Sequence, residues 1–489
     1  MKIDFTERIK ALKEASPLLL DGNWGIEKEA LRTTKSGDLA LTEHPAVFGD
    51  RETNPYITTD FSESQVELIT PVFNSIEETY QSLLNTQNYV ESNCKNEFLW
   101  PFSMPNKLPS EDIIPIARFK NKEPEIYRKG LALRYGKKMQ MISGLHYNYS
   151  PGNDFIDFLY KETSKPISLK DFKNNLYFHT GRNVLRYRWL LLYLFGASPA
   201  ADNSYSSSIE NHFNKIEKIL SCCKDSYSEH RKYSTSLRMS CIGYKNHIPY
   251  EHSVSYNSLN EYLTDLKFLL NNKDKTYSKF GIFKGDNQIQ LNDNYLQKIN
   301  EYYSPIRFKY NKGYNSSPLD VLAEKGVAYI ELRILDLNPF YKASITLEDL
   351  YFIHTFILFC MFKNCPNLND SELLIINRNH HITALKGRKP GIELSRLNGE
   401  ETNLIAWGEE LINEMAEIAE LLDSESDSSN FSRSLNIQKN KLNNPDILPS
   451  SKIVNQMDYN KESFIELGIR LSKENRLKEK KYELSNAGV

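Results

Sequence analysis

Apolar and polar residues alternate with a period of two in four short segments, which is the pattern of half-buried β-strands. These segments cover residues 25–32, 65–70, 144–149 and 329–335. In other parts of the chain apolar residues recur every three to four positions, which predicts helices with one buried face. The predicted helices cover residues 4–18, 75–93, 123–139, 172–195, 258–270, 347–362 and 461–483. Together these patterns predict an α+β protein.

Three other regions complete this organisation: a short strand at residues 38–42, a polar excursion at residues 202–231 and a serine-rich loop at residues 424–434. The chain shows no internal repeat and no linker, and the strand segments are spread widely along it. We therefore predict one large unit over residues 1–489, with helical excursions at about 150–231 and 395–489.

Two acidic residues stand on one face of the first predicted strand. Glu27 and Glu29 are two positions apart, so their side chains point to the same side of a strand. Adjacent carboxylates repel each other unless a cation lies between them. A hard cation such as Mg²⁺ prefers oxygen ligands and fits this pair. An isolated E-x-E pair is more often a solvated strand face, so the interpretation depends on the other strands.

The next two strands carry polar groups in the same way. Glu67 is a single acid within an apolar run that ends at a proline. His146 shares one strand face with Gly144 and Asn148. A histidine in that position is explained equally well as a core residue and as a ligand of a metal or phosphate.

The fourth strand separates its residues cleanly between two faces. Ile330, Leu332 and Ile334 form the predicted core face, and Glu331 and Arg333 share the opposite face. Arg333 can be explained as the ion-pair partner of Glu331 or as a guanidinium that binds a metal-bound phosphate. Four such strands predict an antiparallel sheet with helices on one side and a polar site on the other.

Composition and charge exclude several other classes of protein. The 61 basic and 63 acidic residues give a net charge of −2, whereas nucleic-acid-binding proteins usually carry a basic surplus. The N-terminus lacks an apolar signal segment, and the longest apolar stretch is too short to span a bilayer. The six cysteines form no C-x-x-C pair and are expected to be free thiols. We expect a cytoplasmic protein that binds neither nucleic acid nor membrane, and a monomer because no heptad seam occurs.

Some other residues are weaker candidates for a site. Tyr127, Arg128 and Leu131 lie close together on a predicted helix, and core packing explains them well. Arg238, followed by Tyr244, suits a substrate carboxylate, although such pairs more often belong to a surface network. These patterns alone predict a soluble α+β enzyme with a carboxylate-rich magnesium site, and they leave the substrate open.

Several segments, in the same order along the chain, resemble one known family. They cover residues 25–32, 57–61, 67–71, 100–105, 127–131, 142–148, 193–199, 235–238, 303–307, 330–340 and 387–391. Together they resemble the bacterial glutamate–cysteine ligases of the proteobacterial class, also called γ-glutamylcysteine synthetases. The similarity extends from about residue 20 to about residue 395.

This resemblance implies a fold, a reaction and a set of ligands. The implied fold is similar to the catalytic domain of glutamine synthetase, with a curved, mostly antiparallel sheet that forms a funnel and helices packed outside. The implied reaction joins the γ-carboxylate of glutamate to the amine of cysteine at the expense of ATP, as the first step of glutathione biosynthesis. Mg²⁺, with Mn²⁺ as an alternative, and feedback inhibition by glutathione are implied as well.

The resemblance also implies the residues that carry out the chemistry. Five of them are implied to be metal ligands: Glu27, Glu29, Glu67, His146 and Glu331. Arg333 is implied to stabilise the transferred phosphoryl group, and Arg128 to be a second contact to phosphate or substrate.

A further set of residues is implied to bind the amino-acid substrates. Tyr127 and Leu131 are expected in the pocket for the cysteine side chain. Arg238, Tyr244 and Tyr303 are expected to make polar contacts to the substrates.

Two other functions remain as alternatives at this point. One is an ATP-dependent carboxylate–amine ligase on the same scaffold with a different amine acceptor. The other is a protein that binds glutamate or nucleotide without catalysis, although degenerate sites usually lose a ligand and this acidic set is complete.

Overall fold

The computed structural model describes residues 13–14, 16–94, 96–162, 166–205, 232–243, 246, 248–311, 313 and 316–486. The strands are β1 (Gly22–Thr34), β2 (Ile57–Thr59), β3 (Gln65–Ile69), β4 (Glu97–Leu99), β5 (Leu145–Pro151), β6 (Phe283–Lys284), β7 (Asn287–Gln288), β8 (Ile306–Lys309), β9 (Tyr329–Leu335), β10 (Glu393–Ser395) and β11 (Glu401–Asn403). The helices are α1 (Ile76–Asn93), α2 (Lys122–Tyr135), α3 (Lys137–Gln140), α4 (Asn153–Lys161), α5 (Leu169–Phe195), α6 (Leu259–Asn271), α7 (Lys275–Ser278), α8 (Pro318–Lys325), α9 (Leu347–Phe362), α10 (Asp370–Lys386), α11 (Leu404–Ser426), α12 (Asn430–Asn443), α13 (Pro449–Asn460) and α14 (Phe464–Asn486).

Seven strands form the central sheet. β2, β3, β1, β5, β9 and β8 lie side by side in this order, and β4 pairs with one end of β1. Each of these pairs is antiparallel. The four predicted strand segments correspond to β1, β3, β5 and β9, so their prediction is confirmed. They are neighbours in the sheet although they are far apart in sequence, which brings their polar residues together.

One face of this sheet is covered by helices. α5 packs on β8 and β9, α1 packs on β1, and α9 packs on both of these helices. α9 is buried on all sides because it is apolar almost throughout, as expected for a helix inside a large core. Ile330 and Leu332 of β9 are buried on this face. Alternate residues of the strands therefore point to the other face, where the polar groups collect.

The strand predicted at residues 38–42 is wrong. The chain turns at Gly37, where φ is 83°, and runs back beside β1. It makes isolated bridges from Leu39 to Thr33 and from Asp38 to Lys107. These contacts are too few to form a ladder of hydrogen bonds.

The serine-rich loop predicted at residues 424–434 is also wrong. α11 continues to Ser426 and α12 begins at Asn430. The Asp423 carboxylate accepts hydrogen bonds from the backbone N–H groups of Phe431 at 2.8 Å and Ser432 at 2.9 Å. This carboxylate satisfies donors at the start of α12 that have no partner within the helix, so the polar sequence needs only a short turn.

The remaining helix predictions are confirmed within a few residues. The predicted helix at residues 123–139 is divided into α2 and α3 at Gly136, where φ is 83°. The predicted helix at residues 4–18 and the polar excursion lie largely outside the described residues. None of the described helices combines the length and the apolar content that crossing a bilayer requires.

Candidate active site

The polar face of the sheet brings a histidine and several carboxylates together. Single ligand atoms of Glu27, Glu67 and His146 lie within 4.8 Å of one another. The His146 Nδ1 atom is 3.3 Å from Glu27 Oε2 and 3.7 Å from Glu331 Oε1, and its Nε2 atom is 3.6 Å from Glu29 Oε1. The structure thus brings together all five residues for which a metal-binding role was predicted.

Strand register explains why these side chains meet. Glu27 is paired with His146 across β1 and β5, and Glu29 is paired with Glu67 across β1 and β3. Directly opposed residues of antiparallel strands have their Cβ atoms about 5 Å apart on the same face. Glu331 reaches the cluster from β9, which is the next strand beyond β5.

Nearby polar groups fix the orientation of two of the carboxylates. The backbone N–H of Gly144 donates to Glu29 Oε2 at 2.8 Å, and Asn148 Nδ2 donates to Glu27 Oε1 at 3.2 Å. Gly144 and Asn148 therefore lie on the same face as His146, as the alternation along this strand predicted. One oxygen of each carboxylate is engaged in this way, and the other faces His146.

Two cations flank Glu331, which is fully buried. Arg333 Nη1 is 3.1 Å from Glu331 Oε1, and Lys309 Nζ is 3.4 Å from Glu331 Oε2. Burial alone would raise the pKa of Glu331, but the charges of Arg333 and Lys309 outweigh it and hold this pKa well below its ordinary value. Glu331 is therefore ionised at neutral pH.

Glu29 and Glu67 lack comparable compensation. Burial, followed by the charge of Asp60, raises the pKa of Glu29 to about 8. Burial, followed by the charges of Glu27 and Asp60, raises the pKa of Glu67 well above its ordinary value. Such shifts arise where buried carboxylates are crowded together without enough positive charge.

His146 is suited to act as a neutral ligand. Burial, followed by the charge of Arg333, lowers its pKa to about 4, so the imidazole is neutral at pH 7 and offers a nitrogen lone pair. Burial raises the pKa of Glu27 as well, but the hydrogen bond to His146 and the charges of His146 and Lys309 together leave this pKa below its ordinary value. Ionised carboxylate oxygens and a neutral imidazole fit a hard divalent cation, whose charge would offset the crowding.

This crowding predicts that the metal-free protein loses stability as pH rises. A carboxyl group whose pKa is raised in the folded state stabilises the fold below its unfolded pKa, and this stability is lost as pH rises through the folded value, about 8 for Glu29. We expect the melting temperature in EDTA to fall between pH 5 and pH 9, and to fall less in Glu29→Gln. Added Mg²⁺ should restore stability mainly at the alkaline end. A pH-independent melting temperature would contradict this prediction.

Arg128 lies beside the acidic cluster, but its guanidinium is tied to the backbone. Its Nη1 donates to the Pro124 carbonyl at 3.1 Å and its Nη2 to the Thr59 carbonyl at 3.3 Å. The guanidinium also lies over the Phe119 ring, 4.3 Å from its centroid. Its predicted contact to phosphate or substrate stays a prediction.

The two predicted residues of the cysteine pocket lie on the same helix. Leu131 is buried in a hydrophobic cluster, and Tyr127 packs against that cluster while remaining half-buried. Tyr127 thus keeps part of its surface exposed, whereas Leu131 is mainly a core residue. A role for either residue in binding the cysteine side chain stays a prediction.

Arg238 is buried behind the cluster. Its Nη2 donates to the Arg333 carbonyl at 2.9 Å and its Nη1 to the Leu335 carbonyl at 3.2 Å. A side chain at Gly144 would collide with this guanidinium, because an ideal Cβ there lies 1.9 Å from Arg238 Nη2. The requirement for glycine at this position is therefore steric.

The last two predicted substrate contacts have different outcomes. The Tyr303 hydroxyl donates to Met239 Sδ at 3.0 Å. Burial raises the pKa of Tyr303, while the charges of Arg238 and Arg333 oppose this rise. Its predicted contact to the substrates stays a prediction. Tyr244 lies outside the described residues.

Sequence reasoning missed two charged residues of the site. Asp60 is half-buried, and its charge helps to raise the pKa values of Glu29 and Glu67. Lys309 pairs with Glu331. Lys309 could have been found, because residues 306–309 alternate between buried Ile306 and Phe308 and polar residues on the other face. Asp60 follows the short strand β2 and offers no periodic signal.

Comparison with known proteins identifies the family. The family model described as glutamate-cysteine ligase matches residues 9–383. The chain belongs to the glutamate–cysteine ligase family. The glutamate–cysteine ligase of Clostridium acetobutylicum is 43% identical over 476 residues, which cover 96% of this chain and 99% of the relative. That of Pseudomonas paraeruginosa is 38% identical over 462 residues, which cover 94% of this chain and 86% of the relative.

A solved glutamate–cysteine ligase has the same fold. The crystal structure of the enzyme from Francisella tularensis in complex with AMP superposes with a TM-score of 0.83 at 31% sequence identity, covering 94% of this chain and 89% of that chain. This match confirms the predicted α+β fold with a mostly antiparallel sheet and outer helices. The resemblance found in the sequence motifs is confirmed as well.

Proposed function

We propose that this chain joins the γ-carboxylate of L-glutamate to the amine of L-cysteine, with conversion of ATP to ADP and phosphate. The product is γ-glutamylcysteine, and the reaction is the first step of glutathione biosynthesis. The observation that carries this proposal is the placement of Arg333 beside the Glu27–Glu67–His146 cluster in a member of this ligase family.

The reaction requires activation because a carboxylate has no good leaving group. A γ-carboxylate oxygen of glutamate attacks the γ-phosphorus of ATP, and ADP leaves. The neutral cysteine amine then attacks the acyl carbon, phosphate leaves and the amine loses a proton. Arg333 would stabilise the charge of the transferred phosphoryl group with its guanidinium. Water must be excluded, because it would hydrolyse the acyl phosphate.

We propose Glu27, Glu29, Glu67, His146 and Glu331 as ligands of Mg²⁺, with Mn²⁺ as an alternative. When bound, these ions supply charge neutralisation at the β- and γ-phosphates of ATP. His146 contributes as a neutral base, and its low pKa keeps it available across the physiological range. Binding of the ions should release protons near pH 7, because Glu29 has a pKa of about 8 without them.

We also propose the substrate contacts predicted from sequence. Arg128 would bind phosphate or substrate, Tyr127 and Leu131 would contact the cysteine side chain, and Arg238 and Tyr303 would hold the amino acids through polar contacts. Tyr244 is proposed for the same role on its sequence alone.

Four further properties belong to this proposal. The chain would act as one catalytic unit over residues 1–489, as a monomer and in the cytoplasm. Glutathione, the product of the pathway, would inhibit the enzyme. Size-exclusion chromatography with light scattering, and rate measurements with added glutathione, test the monomer and the inhibition.

The decisive measurement is ADP release by purified protein with ATP, Mg²⁺ and glutamate, with and without cysteine. We expect strong turnover that requires both glutamate and cysteine. Turnover with glutamate that is indifferent to cysteine, or faster with another amine, would keep the activation chemistry and change the acceptor. Binding of the substrates without turnover would contradict the enzymatic proposal.

A further inference from the structure

Charge is distributed unevenly over the polar face of the sheet. The central strands β3, β1 and β5 contribute the acids and the histidine, whereas the edge strand β8 and its neighbour β9 contribute cations. The cations at this edge are Arg307, Lys309 and Arg333, and Glu331 lies among them. Across β8 and β9, Arg307 is paired with Glu331 and Lys309 with Tyr329. An anion that also binds metal ions would find metal ligands on the central strands and positive charge at this edge.

The three cations at this edge differ in how they are held. Arg307 is engaged with the backbone, because its guanidinium donates to the Asn300 carbonyl at 2.7 Å and to the Tyr302 carbonyl at 3.0 Å. Arg333 pairs with Glu331 Oε1 at 3.1 Å. Lys309 lies 3.4 Å from Glu331 Oε2. Within the described part of the chain, its ammonium makes this ion pair and no hydrogen bond.

Lys309 also differs from Glu331 in exposure. The Lys309 side chain is 29% exposed, while that of Glu331 is 1% exposed. The lysine therefore keeps part of its side chain in contact with solvent at the edge strand, while its neighbour Phe308 is buried in the core. A lysine ammonium on a flexible stem is a point charge that can turn from one anion to another.

We propose that Lys309 binds the β- and γ-phosphates of ATP together with Arg333, which makes it a catalytic residue of this ligase. This inference rests on the proposed function. A divalent cation bound to the Glu331 carboxylate would take over the role of counter-ion from Lys309 and Arg333, which lie 3.4 Å and 3.1 Å from its two oxygens. Lys309 contributes charge to this step and transfers no proton. Its positive charge offsets the charge that moves onto the β-phosphate as ADP leaves.

A simpler role for Lys309 makes different predictions. If it were only a counter-ion of Glu331, its removal would leave nucleotide binding unchanged and would alter metal binding alone. Arg333 already provides Glu331 with a closer counter-ion, at 3.1 Å against 3.4 Å. This redundancy favours a second role for the exposed lysine.

The test compares Lys309→Met with the wild-type protein by isothermal titration calorimetry. The probes are AMP and the non-hydrolysable analogue AMPPNP, each with saturating Mg²⁺, and Mn²⁺ alone. We expect the affinity for AMPPNP to fall at least tenfold in Lys309→Met, while the affinity for AMP, which lacks the β- and γ-phosphates, changes less than twofold. Lys309→Arg should recover most of the loss. The control Lys267→Met removes a lysine that is 49% exposed on α6 and should bind both nucleotides normally.

Each other result has a definite meaning. An equal loss for AMP and AMPPNP would indicate structural damage and overturn the proposal, as would unchanged AMPPNP binding with altered Mn²⁺ binding. Failure of the wild-type protein to bind AMPPNP or to release ADP would overturn the proposed function itself. A functional wild type with an unaffected Lys309→Met variant would overturn only the role of Lys309.

Discussion

Glu27→Gln should abolish ADP release while the protein remains folded. The amide has the shape of the carboxylate but lacks its charge, and Glu27 lies between His146 and Asn148 at the centre of the ligand cluster. We expect turnover to fall on the order of 10³-fold or more, since charge stabilisation at the transferred phosphoryl group depends on the ions that this residue would hold. Initial rates at saturating ATP, Mg²⁺, glutamate and cysteine measure the loss.

The stability of the same variant separates a ligand role from a structural one. Loss of the bond to His146 is offset by weaker repulsion on Glu67, whose pKa is raised in part by the charge of Glu27. The melting temperature in EDTA should therefore change little, whereas stabilisation by Mg²⁺ should disappear. Glu420→Gln, on an exposed position of α11, serves as control and should leave both activity and metal response intact. Full activity of Glu27→Gln would exclude it as a metal ligand.

Arg333→Met should reduce turnover by a similar factor through a different step. A guanidinium that stabilises a transferring phosphoryl group contributes about 10³–10⁵ in rate. Arg333→Lys keeps the charge but loses the forked geometry, so we expect it to recover only a small part of the activity. Glutamate-dependent ADP release measures the effect, and AMP binding shows whether the nucleotide site is intact.

Arg333 also pairs with a buried carboxylate, so its removal has a structural cost that must be measured. Glu331 would keep Lys309 as its counter-ion at 3.4 Å, and we expect a moderate loss of melting temperature in Arg333→Met. Arg433→Met removes an arginine that is 64% exposed and pairs with Glu348, and it should affect neither property. If Arg333→Met turned over at more than a tenth of the wild-type rate, its proposed role in phosphoryl transfer would be wrong.

The strands of the site could be predicted because one side of each strand is apolar and the other is polar. Ile330 and Leu332 alternate with Glu331 in β9, and this period of two separates core from site without knowledge of the neighbours. The pair Glu27 and Glu29 predicted a metal site for the same reason, because residues two positions apart share one face of a strand. The sequence motifs then indicated the family, and the comparisons confirmed it.

Other features depend on tertiary contacts that leave no local pattern. The cap that Asp423 provides at the start of α12 turned a predicted serine-rich loop into helix. Asp60 belongs to the cluster only because β2 lies beside β3. Which strands are neighbours also had to come from the structure, since a strand carries no mark of its partner in its own sequence.

The central strands come from distant parts of the chain, and this has a consequence for how the enzyme folds during synthesis. Glu27 and Glu67 are near the start of the chain and His146 follows, but Glu331 is made only after α8. Contacts between such distant residues form late, because long loops must close first. A divalent cation would thus select the native state over partly folded chains, and at a hundredfold excess over its Kd it would add about 2.7 kcal/mol of stability. A nascent chain on the ribosome would be unable to transfer a phosphoryl group from ATP to glutamate until β9 has emerged and joined β5.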